Sequence, residues 1–327
     1  MRFVLRRLVF YAVAIWAAVT LNFLIPRVMP GNAVDAILGK FQNLTPAVVK
    51  SLEVQFGIGH KGTIISQYFQ YWNNVLHFNL GISTSEYPTH VSTIIGQTLP
   101  WTLALVGVAT VLSFTIGTLL GVFAAWRRGG SLDRALPALT LLQATPYFFL
   151  ALLAVYLFAI KLNWLPYGQG YSIGLSPGFN WAFIHSAVEH SILPALTIIA
   201  VSTGGWMLQM RNVMLTTISE DYILVAQAKG LSTRRVMFTY GARNAILPNI
   251  AGFALSLGFV VAGALVMEYV FSYPGIGLTL YNAVTSNDYP LTQGIFLVIS
   301  LAVLTASLLA DIVYVFADPR ARSRSAN

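Results

Sequence analysis

Six long apolar runs dominate this sequence, and each has roughly the length needed to cross a lipid bilayer. The hydrocarbon core of a bilayer requires about 20 residues of helix. Runs of this length lack the alternation of polar and apolar residues that marks a barrel strand. We therefore predict an all-α integral membrane protein with six transmembrane helices. The runs are Leu8–Pro26, Leu99–Ala125, Leu139–Ile160, Leu193–Met210, Leu247–Phe271 and Leu291–Val315.

The composition supports this fold class. Hydrophobic residues make up 56% of the chain and charged residues 9%, with a mean hydropathy of +0.69, whereas a soluble domain carries roughly 25% charged residues. The chain contains no cysteine, which excludes a disulfide framework and a thiolate metal site. The net charge of +8 is attributed to basic cytoplasmic loops, so we expect lipid and not nucleic acid around this protein.

The basic residues predict the orientation of the chain. Arg2, Arg6 and Arg7 precede the first span and place the N-terminus in the cytoplasm. If the spans alternate from there, fourteen of the 19 Lys and Arg residues fall in inner segments, so both termini are predicted to be cytoplasmic. The first span also has features of a signal peptide. Its apolar run is longer than the usual core, however, and no clear cleavage site follows, so we expect it to be retained.

These spans divide the chain into four parts. We predict an N-terminus with the first span at 1–26, an extracytoplasmic segment at 27–98, a transmembrane core at 99–318 and a cytoplasmic tail at 319–327. The core includes a polar cytoplasmic loop at 211–247. The aromatic residues around Tyr68 and Trp72 indicate either short helices over the outer mouth or an interfacial belt. The segment from Lys161 to His190 is expected to be an ordered loop, and all five histidines to be solvated loop residues.

The polar loop has the pattern of two short helices separated by a turn. Thr217 and Glu220 have the spacing of a capping box, and Asp221 adds negative charge at the start of the first helix. Gly230 is placed as its left-handed C-terminal cap, and Ser232 as the N-cap of the second helix. Such a helix-turn-helix on the inner surface either receives a soluble partner or lies among lipid headgroups.

The middles of the predicted spans carry small and hydroxyl residues instead of charges. By helical rise, Glu268 lies near the outer surface and Asp311 near the inner one, which weakens the case for an ion-coupled transporter with its coupling groups near the midplane. The small residues either serve helix packing or line a pathway with uncharged contacts. The hydroxyl residues considered for such a lining are Ser113, Ser202, Thr203 and Ser256.

The polar loop resembles the ATPase-docking loop of ABC-transporter permeases, and is closest to the dipeptide, oligopeptide and nickel branch. The usual Glu-Ala-Ala is replaced by Leu224-Val225-Ala226, and the distance from Gly230 to Pro248 is long; both departures are typical of that branch. Similar segments occur in order along nearly the whole chain. They are Pro30-Gly31, Leu80-Gly81, Arg127-Arg128-Gly129, Asp133-Arg134, Phe271 to Gly277, Asp288-Tyr289-Pro290 and Asp318-Pro319-Arg320.

The resemblance implies a permease subunit, the first of a pair, in a binding-protein-dependent importer. Its partners would be a second homologous permease, two cytoplasmic ATPases and an extracytoplasmic solute-binding protein. ATP and Mg²⁺ would be bound by the ATPases, since this chain lacks a phosphate-binding loop motif and should need no cofactor of its own. The residues that would dock the ATPase are Glu220, Asp221, Ala226, Ala228, Lys229, Gly230, Leu231, Ser232, Arg234 and Arg235.

Several alternatives stay open from the sequence. Peptides are the expected cargo, but short oligosaccharides and nickel chelates use similar permeases. An ion-coupled secondary transporter and an intramembrane enzyme are the other classes, and no catalytic or metal-ligating constellation favours the latter. Glu268, with the nearby Pro274 and Gly275, is interpreted either as part of an outer gate or as a surface carboxylate beside the binding protein.

Overall fold

The computed structural model describes residues 2–28, 63–262 and 265–317, and within these ranges the chain is mostly helical. The first helices are α1 (Arg2–Val28), α2 (Ile64–Leu76), α3 (Val91–Trp126), α4 (Ser131–Ala144), α5 (Tyr147–Lys161) and α6 (Trp181–Ile218). They are followed by α7 (Asp221–Ala228), α8 (Thr233–Ala245), α9 (Leu247–Ala262), α10 (Leu265–Val270), α11 (Ile276–Thr285) and α12 (Tyr289–Ala317).

The described helices agree with an all-α membrane protein. Helices α3, α6 and α12 are each long and apolar enough to cross a bilayer. The pairs α4–α5 and α8–α9 pass the same test only when each bent pair is taken together. In α1 the apolar part, Val9–Ile25, is shorter. The tail at 319–327 and residues 29–62 of the extracytoplasmic segment at 27–98 lie outside the described residues, but α2 places the aromatic residues around Tyr68 and Trp72 on a helix.

The third predicted span, Leu139–Ile160, is wrong as a single helix. The chain bends by 97° between α4 and α5. Thr145, which precedes Pro146, adopts an extended conformation with φ −77° and ψ 133°, because a proline ring disfavours helical geometry at the residue before it. The apolar character of the run continues through this bend, which is why hydrophobicity alone does not reveal it.

The fifth predicted span, Leu247–Phe271, is also divided. Helix α9 covers Leu247–Ala262 and α10 covers Leu265–Val270. Pro248 lies in the first turn of α9, as predicted, where a missing amide costs no helical hydrogen bond. Helix α8 meets α9 at an angle of 52°, so the polar loop leads into this segment through a bend.

The chain forms two compact units. The first comprises Met1–Thr102, Val261–Leu265 and Pro274–Leu304. Its apolar core lies where the start of α3 meets α11 and the start of α12. The side-chain hydroxyl of Thr102 accepts a hydrogen bond from the Ile276 amide at 2.8 Å, which satisfies one free donor at the start of α11. The core residues are Val91, Ile94, Ile95, Ile276, Leu280, Ala283, Leu291 and Ile295.

Two polar clusters complete the first unit. The fully buried Asp288 carboxylate accepts hydrogen bonds from the Ser83 hydroxyl at 2.5 Å, from both the amide and the hydroxyl of Ser85, and from the Leu291 amide. Asn22 on α1 donates to the Gln293 carbonyl oxygen at 2.8 Å. Such bonds compensate buried polar groups for their lost hydration. They join the segment before α3 and the helix α1 to the start of α12.

The second unit comprises Leu103–Val260, Val266–Tyr273 and Thr305–Asn327, and α6 is its central helix. A Cβ atom added at Gly117 of α3 would lie 2.7 Å from the backbone oxygen of Thr203 in α6. One added at Gly121 would lie 2.6 Å from the backbone oxygen of Met207. One at Gly204 would lie 2.5 Å from the Leu139 oxygen of α4. The small residues therefore allow helix backbones to touch, as their spacing predicts.

An ion pair joins the start of α4 to α6. The Arg211 Nε atom lies 2.5 Å from the Asp133 carboxylate, which also accepts a hydrogen bond from the Gly129 amide at 2.8 Å. Asp133 lies in the first turn of α4, before the predicted third span. The Arg211 guanidinium, and next the Gly129 amide, hold the pKa of Asp133 below its ordinary value. This carboxylate is therefore ionised at neutral pH and keeps its contact with α6.

Candidate functional site

The turn at Gly230 ends α7 with a Schellman motif. Gly230 has φ +73°, which confirms the predicted left-handed cap. Its amide donates to the Gln227 carbonyl oxygen at 2.9 Å, and the Leu231 amide donates to the Ala226 carbonyl oxygen at 3.3 Å. The Leu231 side chain then packs against the buried face of α7. The turn is therefore fixed by both backbone geometry and packing.

The predicted capping box at Thr217 is wrong. Helix α6 continues through Ile218, and the Thr217 hydroxyl donates to the Val213 carbonyl oxygen of that helix at 2.9 Å. Glu220 occupies the N-cap position of α7, but its side chain makes no capping bond. The Thr-x-x-Glu spacing is present, yet it straddles the boundary between two helices. The extension of α6, which packing stabilises, prevails over the local capping signal.

The second helix of the polar loop begins as predicted but changes its winding. Ser232 is the N-cap residue of α8, although its hydroxyl makes no capping bond. After Arg235 the helix widens into a π-helical stretch, Val236–Ala242, a form that often occurs at functional sites. Asn244 donates to the Tyr222 hydroxyl at 3.1 Å. This bond connects α8 to α7 in addition to their apolar contact.

Helix α7 has one buried face and one exposed face. Ile223 and Ala226 are buried against Val236 of α8. On the other side, Leu224 is 60% exposed and Val225 is 52% exposed. Adjoining apolar side chains that are exposed on a polar loop make this face a candidate interaction surface. These two residues were not predicted from the sequence. The signal for them is the apolar pair Ile223 and Ala226, whose i, i+3 spacing defines one helical face and leaves Leu224 and Val225 off that face.

The residues predicted to dock an ATPase are mostly accessible. Ala226 is buried inside the loop and Leu231 is half-buried, while the others are exposed. Beside the turn, a cavity of about 420 Å³ is lined by Ser232, Arg234, Arg235, Phe238 and Thr239. The loop therefore presents an apolar surface from α7 and two arginines from α8. The exposed members of the predicted set are Glu220, Asp221, Ala228, Lys229, Gly230, Ser232, Arg234 and Arg235.

The predicted outer gate residues lie in different units. Glu268 on α10 is fully buried in the second unit. The turn that follows it is held by two contacts: the Gln169 amide donates to the Phe271 carbonyl oxygen at 2.8 Å, and the Tyr273 hydroxyl lies 3.0 Å from the Ser191 hydroxyl. In the first unit, Gly275 is the N-cap of α11, directly after Pro274.

The four hydroxyl residues considered for a pathway have different surroundings. Ser113 and Thr203 are buried, and their hydroxyls donate to carbonyl oxygens of their own helices. Ser256 likewise donates to the Phe253 carbonyl oxygen. Ser202 instead lines a cavity between α4 and α6. Ser202 is therefore the member of the four that borders this cavity.

The expectation of solvated loop histidines is wrong for two residues. His185 and His190 lie in α6, which begins at Trp181, earlier than predicted. His190 is buried, and its Nδ1 atom lies 2.7 Å from the Ser186 carbonyl oxygen. The loop expected from Lys161 to His190 therefore ends at Asn180. His60 lies outside the described residues.

Comparison with known proteins places this geometry in context. Residues 117–323 match the family model described as "Binding-protein-dependent transport system inner membrane component". The chain is 33% identical over 321 residues to a "Putative peptide permease protein" of Brucella suis, with 98% of each chain covered. It is 32% identical over 337 residues to a "Di/tripeptide transport system permease protein" of Pseudomonas aeruginosa, again with 98% of each covered. A "Probable peptide ABC transporter permease protein" of Sinorhizobium fredii is 32% identical over 325 residues, which cover 98% of this chain and 99% of the relative.

Proposed function

Because this chain belongs to the family of binding-protein-dependent transport system inner membrane components, we propose that it is the permease subunit of an ATP-driven importer of peptides. It acts in the inner membrane. The observation that carries this conclusion is similarity along 98% of the chain to permeases named for peptide transport. Oligosaccharides, nickel chelates and ion-coupled transport find no comparable support.

The membrane arrangement is part of the proposal. We expect six spans with both termini in the cytoplasm, formed by α1, α3, the bent pair α4–α5, α6, the segment that contains α9 and α10, and α12. The basic residues before the first span support this orientation. The permease itself would not bind or hydrolyse ATP, because hydrolysis would take place on the partner ATPases.

The partners follow from the type of transport system. We propose a second homologous permease, two cytoplasmic ATPases that bind ATP and Mg²⁺, and an extracytoplasmic solute-binding protein that delivers the peptide. The two permeases together would enclose the pathway, with each chain forming half of it. Such an arrangement separates cargo selection, which belongs to the binding protein, from passage through the membrane.

The polar loop is the proposed contact with the ATPase. Its support is the exposed apolar surface of Leu224 and Val225, held in place by the capped turn at Gly230. Burial of a Leu or Val side chain stabilises a contact by roughly 1.5–3 kcal/mol. The nearby Arg234 and Arg235 add positive charge to the same loop. Movement of the ATPase would reach α6 and α9 through the two loop helices.

We propose a role in the outer gate for Glu268 and, separately, for the turn residues Pro274 and Gly275. Glu268→Gln keeps the shape of the side chain and removes its charge. We expect peptide uptake to fall about tenfold to a hundredfold, since a hydrogen bond to a charged group contributes roughly 1.5–3 kcal/mol, while the basal ATPase rate is kept. Peptide uptake and the basal ATPase rate are both measured in proteoliposomes. Glu189→Gln, at a half-buried carboxylate of α6, is the matched control, and wild-type uptake in Glu268→Gln would contradict the gate.

A single purification tests the proposed assembly. The chain is extracted from its native membrane in a mild detergent, and co-purifying proteins are identified by mass spectrometry. We expect a second permease and ATPases with phosphate-binding loops, and, in proteoliposomes with the binding protein, uptake of peptide that requires ATP. A chain that purifies alone even after crosslinking, or uptake that is driven by an ion gradient without ATP, contradicts the proposal.

A further inference from the structure

A cavity in the second unit brings together side chains of α4 and α6, and its polar residues carry no charge. Its volume is about 420 Å³, within the range of roughly 300–1,000 Å³ that is usual for small-ligand sites. Its polar groups are two carboxamides, one hydroxyl and one indole. The lining residues are Gln143, Val201, Ser202, Gly205, Trp206 and Gln209.

Four of these residues form a single stripe on α6. Ser202, Gly205, Trp206 and Gln209 follow one another at intervals of three, one and three residues, a spacing that places them on one helical face. The stripe is about 10 Å long, since the helix rises about 1.5 Å per residue. The opposite face is occupied by packing, where Met207 and other residues are buried. The stripe is therefore the part of α6 that borders the cavity.

The neighbouring helices hold the polar groups in position. An added Cβ atom at Gly205 would lie 2.9 Å from the Nε2 atom of Gln143, so the glycine leaves room for this carboxamide against α6. The Trp206 ring packs edge-on against Phe114, with centroids 5.2 Å apart and an angle of 88° between the rings. On the far side, Gly252 of α9 approaches the Trp206 ring and the Gln209 carboxamide. The lining side chains of α6 are thus held by contacts with α3 and α9, while α4 closes the cavity.

The two carboxamides lack partners within the chain. Among the described residues, neither Gln143 nor Gln209 forms a side-chain hydrogen bond. Both side chains are exposed on this chain, and polar residues within membrane spans usually face a bundle interior or a water-filled cavity. Each carboxamide offers both donors and an acceptor. These groups are available to a ligand.

We propose that this cavity is a subsite of the pathway that holds the main chain of a transported peptide. The inference rests on the proposed function and adds the contact residues. Peptide groups present one N–H donor and one C=O acceptor each, which glutamine side chains match. An extended chain advances about 3.3–3.6 Å per residue, so the stripe accommodates about three residues. Because the lining is uncharged, it accepts peptides of different side-chain charge.

The double variant Gln143→Leu/Gln209→Leu tests the subsite in the complete importer, reconstituted with both permeases, the ATPases and the binding protein. The probe is radiolabelled trialanine. We expect kcat/KM for uptake to fall about tenfold, since the loss of one hydrogen bond costs roughly 0.5–1.5 kcal/mol, while basal ATP hydrolysis is kept. Thr197→Val is the matched control, because the Thr197 hydroxyl donates to the Leu193 carbonyl oxygen of its own helix.

The outcomes separate the subsite from the proposed function. If the wild-type importer takes up trialanine and the double variant takes it up equally well, the subsite is overturned and the proposed function stands. If the complete wild-type importer takes up no trialanine, the proposed transport of short peptides fails and the subsite fails with it. If uptake falls and the second permease is also lost from the complex, the glutamines belong to a subunit contact. This result also overturns the subsite.

A second readout examines access to the cavity directly. The chain contains no cysteine, so Gln209→Cys introduces the only thiol of this subunit. We expect a charged, water-soluble thiosulfonate to modify it during turnover and trialanine-loaded binding protein to slow the modification at least about threefold. Met210→Cys, at a buried position, is the unreactive control. A thiol at 209 that stays unmodified in resting and active importers overturns the proposal.

Discussion

Replacing Gly230 with valine is expected to lower peptide uptake at least about tenfold while the protein stays at its normal level in the membrane. Gly230 has φ +73°, and a left-handed conformation costs an ordinary residue roughly 1–2 kcal/mol, with more for a β-branched one. An added Cβ atom would meet nothing within 4 Å. The effect is therefore conformational, and it acts on the turn that orients α7.

Two variants distinguish the loss of this turn from a general defect. Gly230→Asn is expected to retain most of the uptake, because asparagine tolerates the left-handed region better than other residues. Gly129 has the same φ of +73° and also has open space around it, but it lies between α3 and α4. Gly129→Val is expected to leave coupling of ATP hydrolysis to uptake intact. Wild-type uptake by Gly230→Val at a normal protein level would refute the proposed role of the turn.

Leu224→Glu is expected to release the ATPases from the permease and to reduce uptake by about tenfold or more. The Leu224 side chain is 60% exposed on α7 and would be buried in the proposed contact. The substitution removes an apolar contribution of roughly 1.5–3 kcal/mol and places a carboxylate where it loses hydration. The amount of ATPase that co-purifies with the permease, measured beside uptake in proteoliposomes, checks this prediction.

The conservative variant Leu224→Met is the matched control. Methionine keeps a similar apolar volume, so both ATPase recovery and uptake are expected to stay near wild-type values. Gln227 is also exposed on the same short helix, and Gln227→Glu tests whether any added charge on α7 has the same effect. Full ATPase recovery with Leu224→Glu would show that the docking surface lies elsewhere on the loop.

The main elements were predictable from the sequence because the responsible signals are local. Apolar length predicts the helices that pass through the membrane, and the left-handed conformation of Gly230 follows from the absence of a side chain. Pro146 was also a readable signal, since proline restricts the residue before it. The uninterrupted hydrophobicity around it favoured a single helix, and this is where the prediction of the third span failed.

The features that escaped prediction depend on contacts between distant residues. Thr217 has the spacing of a cap, but α6 passes through it because packing extends that helix. The exposure of Leu224 depends on which face of α7 is covered by Val236. Gln143 and Gln209 lie far apart in the sequence, and only the close approach of α4 to α6 brings them to one cavity. A single sequence contains no direct record of such pairs.

The length of α6 gives it a mechanical property. Its 38 residues span about 57 Å at a rise of about 1.5 Å per residue, nearly twice the hydrocarbon thickness of about 30 Å. The helix is therefore long enough for both of its ends to extend beyond the hydrocarbon layer. A tilt of about five degrees displaces one end relative to the other by about 5 Å, given this length. A rigid tilt of α6 would thus carry a movement at Ile218 to Trp181.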